Sequence, residues 1–500
     1  MPSRGDLVNL SSTLFLYALC LVVVGLPLSK FLISVGSLLM AIAFFVYLLS
    51  NQKAVKTSAP LLRVCGFLII TGVVFAWLLI PGDNFDHALN DIRIKAPILA
   101  FPLFFAYGPK ISAKWRDRVL RIFLMASAGS ALTTCVLAFS DLVGWMDLEF
   151  REYSPFFSHI RLSLNLVLAI LLLVFVGDGL FEKKYRILLF VPMFLALIVL
   201  QSVTGLGILF LAALVSIKRL VKSRLGKLLV LLAILGVGYV GFEVVSYFIQ
   251  RDQPQPNQES FITENGHYVH TISDDDGMAR AWELKSNISI DSTSDRGYNL
   301  RGALLRYLSS KNLTKDSIGV AKLSQRDIAL IEQGITNYKY PSWWPLKKRF
   351  EAIRFQMENY FSNGNPNSNS VGMRLVYWEL GLKIFSERPW IGNGVQNLKA
   401  NYAEAYESFR FKIDEKYRRR AHNQFLTFLI CYGVLGFSLI SLGFALVIFP
   451  WRAQHVARLF LLVLLVSFLA EDTLETQMGA TFAGFWMAWF FIKGNHNKEA

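Results

Sequence analysis

The sequence predicts an all-α polytopic membrane protein with about twelve transmembrane helices, and three observations carry that expectation. Of its 500 residues 54% are hydrophobic and only 17% charged, where a soluble globular chain carries nearer a quarter charged. The apolar residues, 40 phenylalanines among them, fall into blocks, most of which are long enough to cross roughly 30 Å of hydrocarbon as a helix. Lysine and arginine in the short connections alternate sharply from one side to the other.

Taken in order, helices are expected at about 10–28, 31–50, 62–80, 93–108, 117–140, 160–177, 186–201, 204–217, 227–249, 421–449, 457–472 and 477–493. The N-terminal "MPSRGDLVNLSS" has no charged n-region with a cleavage site, so the first block is expected to stay in the protein. The fourth helix opens with Asp91, Arg93 and Lys95 and carries Pro97 and Pro102 inside. Residues 1–249 thus hold nine helices, 421–493 hold three, and 494–500 form a tail.

If the N-terminus is cytoplasmic, the short loops on its side hold 21 basic residues and those opposite hold five: Lys30, Arg93, Lys95, Arg151 and Arg161. The excess marks the cytoplasmic face and puts both termini there. It also accounts for the net charge of +15 without nucleic acid as a partner. The polar segment 250–420 then lies outside, its 25 basic and 20 acidic residues nearly balanced. All four cysteines lie in apolar blocks and none in that segment, which argues against a disulfide framework or a cysteine zinc site.

Within the outer segment, 250–295 reads as polar and irregular. Helical patterns follow at 297–309, at 324–335 behind the capping-box-like "SQRD", and at 345–360, 371–386 and 396–412. A mainly helical domain on the outer face is the simplest reading.

The stretch "RRRAHNQFLTFLICYGVLGF" puts Arg418, Arg419, Arg420 and His422 against a membrane helix on the face where basic residues should be sparse. Arg93 and Lys95 open the fourth helix there, and His159 and Arg161 the sixth; Arg374 heads "VGMRLVYWELGLKIF", with Tyr377 and Trp378 one turn on. Singly, each has a plain explanation: snorkelling to lipid phosphate, a helix-end histidine, or a pair with a carboxylate such as Glu379. Four segments bringing cations to one leaflet suit an anionic ligand better, since guanidinium matches phosphate bidentately. His422 stands among arginines that disfavour a further positive charge, and a neutral imidazole can take a proton from a hydroxyl. Asn423 and Gln424 could orient it or bind sugar.

Other signals are weaker. "GVGYVG" matches GxGxxG but lies inside the ninth helix, where close helix packing explains it. Asp274, Asp275 and Asp276 could bind a cation, but a solvated loop is the favoured reading. Glu471 and Asp472, at the outer end of the eleventh helix, could pair with the arginines or shape a site.

The motifs "RLVYWELGLKIFSERPWIGNGVQN" from Arg374 and "AHNQFLTFLICYGVLG" from Ala421 resemble the O-antigen ligase and polymerase superfamily of bacterial envelope glycosyltransferases. The resemblance spans roughly 200–500, and the helix layout fits the whole chain. It implies an inner-membrane, metal-independent enzyme without cofactors that moves a glycan from undecaprenyl diphosphate to an acceptor hydroxyl. The acceptor implied is lipid A-core or a growing polysaccharide. Carried over by position, His422 is the proposed base and Arg374 a diphosphate ligand. The family often has a Ser-Arg-Gly-like motif at the eighth helix, where this chain has "QSVTGLGIL"; Arg161 or Arg418–Arg420 could supply that charge.

A ligase building lipopolysaccharide is the favoured reading, with a polymerase or a protein O-glycosyltransferase as alternatives. A transporter of anionic lipid belongs to a different class. It would place its charges near the bilayer midplane, often with internal repeats; here the charges gather at one boundary.

Overall fold

The computed structural model describes residues 3–51, 61–80, 82, 84–146, 148, 150–220, 263–265, 267–294, 299–340, 351–357, 360, 366–367, 370–409, 413–448 and 455–492. The expected ninth helix at 227–249, and half of the one at 345–360, lie outside them.

The chain forms two compact units, one of residues 1–221, 377–409 and 419–500, the other of 222–376 and 410–418. The first is a bundle of apolar helices: α1 (Arg4–Leu28), α2 (Lys30–Ser50), α3 (Leu61–Ala76), α4 (Phe85–Tyr107), α5 (Ala113–Leu142), α6 (His159–Phe175), α7 (Lys183–Val199) and α8 (Val203–Val215). Five stretches among the described residues are long and apolar enough to cross a membrane: Arg4–Leu28, Lys30–Ser50, Leu61–Leu79, Ala113–Leu142 and Gln424–Ile448. His159–Phe175, Val203–Val215 and His455–Ala470 are apolar but shorter, and at about 1.5 Å per residue a 17-residue helix falls just short of the hydrocarbon. The outward faces are apolar as well: Leu49 is 80% and Phe31 73% exposed, as a surface meeting lipid requires. The protein is a multi-pass membrane protein.

The fourth helix starts at Phe85, earlier than the sequence suggested, because the Asn84 side chain caps it by accepting from the His87 amide. The charges Asp91, Arg93 and Lys95 therefore sit within a helix and not at its mouth. Small residues set the closest approaches. A Cβ on Gly66 would fall 2.5 Å from the Gly443 carbonyl, and one on Gly484 2.6 Å from that of Pro97.

The second unit is helical around its own core. A two-residue antiparallel pair, β1 (Thr263–Glu264) and β2 (His267–Tyr268), leads to α9 (Asp275–Glu283), α10 (Leu300–Ser310), α11 (Ser317–Ala321) and α12 (Gln325–Glu332). Met278, Trp282, Leu304, Leu308, Val320 and Ile331 pack together in its centre. Within the described residues 263–265 and 267–294, α9 corrects the expectation of an irregular stretch; the rest of 250–295 lies outside the described residues. The Asp274 carboxylate caps α9 at the Gly277 amide, and Asp275 pairs with Arg301 at 2.6 Å. The acidic triplet is a helix start, where carboxylates are favoured. The expected capping box at Ser324 and Asp327 is present.

The helix α13 (Ser370–Glu387) runs out of the second unit into the first. There follow α14 (Leu398–Glu407), α15 (Gln424–Ile448), α16 (His455–Ala470) and α17 (Gln477–Phe491). α15 packs on α3, and α17 on α4.

Candidate functional site

The site rests on a broken helix. Gly433 interrupts α15 with φ 63° and ψ −173°, which leaves backbone groups on both sides of the break without helical partners. The "PWIGNG" segment supplies them. Asn393 and Gly394 donate their amides to the Ile430 and Cys431 carbonyls at 2.8 and 3.0 Å. Val434 and Leu435 donate to Pro389 and Trp390, also at 2.8 and 3.0 Å. Non-helical backbone at membrane depth is tolerated when protein satisfies it in this way. Trp77 adds an indole hydrogen bond to the Ile391 carbonyl at 2.6 Å. The Pro-x-x-Gly-x-Gly spacing is therefore the clamp for the helix break.

At the start of α15, Asp472 accepts from the amides of His422 (3.0 Å) and Asn423 (3.1 Å) and from the Thr427 hydroxyl (2.7 Å). One carboxylate thus serves orphan donors of the helix N-terminus, where negative charge is stabilised. His422 has φ 46°, a left-handed conformation that costs roughly 1–3 kcal/mol and tends to persist where surroundings enforce it. Its Nδ1 lies 2.9 Å from the Glu471 carboxylate, and the ring lies 5.5 Å from that of Tyr377. An ionised carboxylate only accepts, so this contact places the ring proton on Nδ1 and leaves Nε2 as an acceptor. His422 is one-third exposed.

Beneath it lies an ion network. Glu475 receives Lys95 at 2.9 Å and Arg420 at 3.2 Å, and Lys95 also meets Asp91 at 2.7 Å. Burial alone would push the Glu475 carboxyl up, but Lys95 and Arg420 outweigh it and hold the group at about 2. Burial pushes Asp472 the other way, above the usual carboxylate range, against the Thr427 hydrogen bond. Gln424 donates to Glu475 at 3.1 Å and accepts from the Leu474 amide at 2.7 Å.

Arg161 donates one nitrogen to the Asp472 carbonyl at 3.3 Å. Its Nη1 is buried without a hydrogen-bond partner among the described residues, as are the Trp378 indole nitrogen and the Tyr402 hydroxyl. Buried orphan donors are rare in native structures and point to a missing acceptor.

The expected residues divide accordingly. His422, Asn423, Arg161 and Arg420 come together around residues 471–475, and Trp378 follows Tyr377 in α13. Lys95 and Gln424 are both buried, Lys95 between two carboxylates and Gln424 with both ends of its amide engaged. The arginine run does not act as one cluster. Arg418 bonds the Ile413 carbonyl, Arg419 is exposed, and Arg420 turns to Glu475. Among the described residues the His422 ring meets the Glu471 carboxylate, a partner that the sequence reading did not assign to it. Arg93 is exposed and bonds Asn90 at 2.7 Å. His159 opens α6 with its ring 5.6 Å from that of Phe150. Arg374 is half-buried in the part of α13 that belongs to the second unit. Glu475 was overlooked; three acids within the five residues of "EDTLE", between apolar helices, were its signal.

Residues 346–441 match a family model described as O-antigen ligase. No curated protein matches the chain. The matched stretch contains the Pro-x-x-Gly-x-Gly clamp, the break at Gly433 and His422, and over these residues the chain is similar to the O-antigen ligase family.

Proposed function

We propose that the protein transfers a glycan from undecaprenyl diphosphate to an acceptor hydroxyl, lipid A-core being the favoured acceptor, at the periplasmic face of a bacterial inner membrane. The carrying observation is the 2.9 Å contact between His422 Nδ1 and Glu471, which fixes the ring and leaves Nε2 to take a proton.

In the reaction, the acceptor oxygen bonds to the anomeric carbon as the bond from that carbon to the phosphate oxygen breaks. The acceptor proton passes to His422 Nε2, where Glu471 stabilises the imidazolium; such general-base help contributes about 10²- to 10⁴-fold. Undecaprenyl diphosphate leaves with the bonding electrons. Arg161, whose Nη1 is buried and orphaned, and Arg420 meet the charge that grows on it; Arg374 is a further candidate ligand. The carboxylates around these arginines hold them in place before the donor arrives, and Asn423 and Trp378 are the proposed sugar contacts. The reading calls on no metal and no nucleotide. The large second unit favours a ligase, since a bulky acceptor needs a docking surface.

The test restores a deletion strain with wild type or His422→Ala and profiles lipopolysaccharide and polyprenyl-linked glycans together. Long polymer held on the carrier, with bare lipid A-core, in the deletion and in His422→Ala supports the ligase. Core bearing single repeat units points to the polymerase. Unchanged pools would sink both.

A further inference from the structure

The helix α5 is polar on its inner side. Met125, Leu132 and Val136 are exposed and make its outward face. Ser127, Ser130 and Thr134 lie opposite them, in one stripe with Phe123 that spans about 60° of the helix, and all four are fully buried. The neighbours of α5 fix where this stripe points. About a quarter turn to one side of Phe123, Trp115 packs on Tyr17 of α1. About a third of a turn to the other side, Cys135 donates to the Pro192 carbonyl of α7. Between these flanks the Phe123 ring meets that of Trp486 in α17 at 4.8 Å, so the hydroxyls face the middle of the bundle. Asn165 of α6 is turned the same way. Ser163, on the far side of α6, packs against Gly205 of α8, whereas Arg161, one turn before Asn165, reaches the Asp472 carbonyl just ahead of α17.

We infer that these residues line a column of ordered water inside the bundle, running from Arg161 at its outer end to Trp486 at its floor. The Ser127, Ser130 and Thr134 hydroxyls, Asn165 Oδ1, Trp486 Nε1 and Arg161 Nη1 are all buried without a hydrogen-bond partner among the described residues. Buried polar atoms are rarely left so, and ordered water is their usual partner where protein supplies none. The mixture of groups selects the ligand. Asn165 Oδ1 only accepts, the indole and the guanidinium only donate, and the hydroxyls do both. A metal cation is disfavoured by the donors and an anion by the carboxamide oxygen, whereas water meets every one. The heights agree along the helix axes. Thr134 stands about 16 Å above Phe123 and the start of α17 about 14 Å above Trp486, which brings Thr134 level with Asp472 and Arg161. Below Ser127 the stripe continues as Phe123, Leu120 and Val119, all buried, so the column is blind: it solvates Arg161 from within and is no passage for protons. A phosphate arriving at Arg161 would displace the topmost water alone. That last step rests on the donor proposed above; the column itself does not.

The test is radiolytic footprinting of the full-length chain in nanodiscs, without donor, in which a millisecond X-ray pulse turns bound water into hydroxyl radicals that oxidise the nearest side chain. Trp282 in the second unit is the control, since it is equally buried but its indole is satisfied by the Ile288 carbonyl. Trp486 should be oxidised about ten-fold faster than Trp282 if water lies against it. Equal rates overturn the inference. Thr134→Val, which exchanges the hydroxyl for a methyl of the same shape, should lower the Trp486 rate and the melting temperature together, because the waters lose a partner. A dry, unsatisfied hydroxyl behaves in the opposite way, its removal being neutral or stabilising, so an unchanged or raised melting temperature also overturns the column. Ser130→Ala supplies the same two readings if the valine variant does not fold, and the wild-type comparison of Trp486 with Trp282 needs no variant. Because footprint and melting are read without donor or turnover, failure of the column leaves the proposed reaction standing, and absence of glycan transfer leaves the column standing.

Discussion

Gly392 lies hard against Gly433: a Cβ on Gly392 would stand 2.5 Å from the Gly433 nitrogen, and one on Gly433 would stand 2.4 Å from the Trp390 carbonyl. Both glycines also have positive φ, 73° and 63°, so a side chain at either is excluded by contact and by conformation together. Gly392→Ala is expected to destabilise the bundle by about 2 kcal/mol or more. A fall in the melting temperature of the purified protein in detergent checks this, and wild-type melting would contradict the clamp.

Glu471 lies 2.9 Å from His422 Nδ1, and in the proposed reaction it orients the ring without touching the reacting atoms. Glu471→Gln keeps a hydrogen-bonding group but removes the demand for a proton on Nδ1, so the acceptor tautomer at Nε2 is no longer enforced. Single-turnover transfer should slow by roughly 10- to 100-fold with donor KM within about two-fold of wild type. A large KM change with unchanged turnover would assign Glu471 to donor binding instead.

Arg161 separates charge from geometry. Arg161→Lys keeps the positive charge but loses the fork of donors that can hold the Asp472 carbonyl and a phosphate oxygen at once. Donor KM should rise about ten-fold, which corresponds to about 1.4 kcal/mol. Equal loss in a reaction with a truncated, uncharged donor analogue would argue for a packing role.

In the second unit, Asp327 couples stability to pH. Burial pushes its carboxyl up, but hydrogen bonds from Tyr307 (2.5 Å), Lys311 (2.9 Å) and Ser324 outweigh this and hold it below the usual carboxylate range. The folded form thus prefers the ionised group. The stabilisation is complete above about pH 4, the unfolded value, and is lost as pH falls from there toward the lower folded value. Hydrogen-exchange protection of α12 in the full chain should drop over that range. Asp327→Asn should cost about 1–3 kcal/mol of protection at neutral pH and flatten the pH dependence.

Much of this was legible along the chain. The apolar blocks located the bundle helices, "SQRD" located the start of α12, and the Arg-to-His-Asn spacing singled out the matched domain. The sequence reading failed where partners come from other elements. Asp91 and Lys95 are one turn apart in one helix, and their pairing could have been read directly; that Glu475 closes the same lysine could not. "SDDDG" looked like a loop because a capping aspartate and a solvated one are the same letter. Gly433 was invisible for a related reason: "CYGVLG" continues an apolar run without a pause, and only the "PWIGNG" backbone beside it shows that the run must break.

The clamp also constrains how the protein can be made. A segment entering hydrocarbon with its Ile430 and Cys431 carbonyls and its Val434 and Leu435 amides unmatched would carry a cost of several kcal/mol for each group. The strip that matches them, Pro389–Gly394, leaves the ribosome first and is joined to α15 through α14 and the arginine run. α15 therefore cannot reach its final form on insertion alone. Its maturation waits for an already synthesised, non-helical strip to fold back onto it, and this docking step makes the order of assembly of the last three helices a property written into six residues.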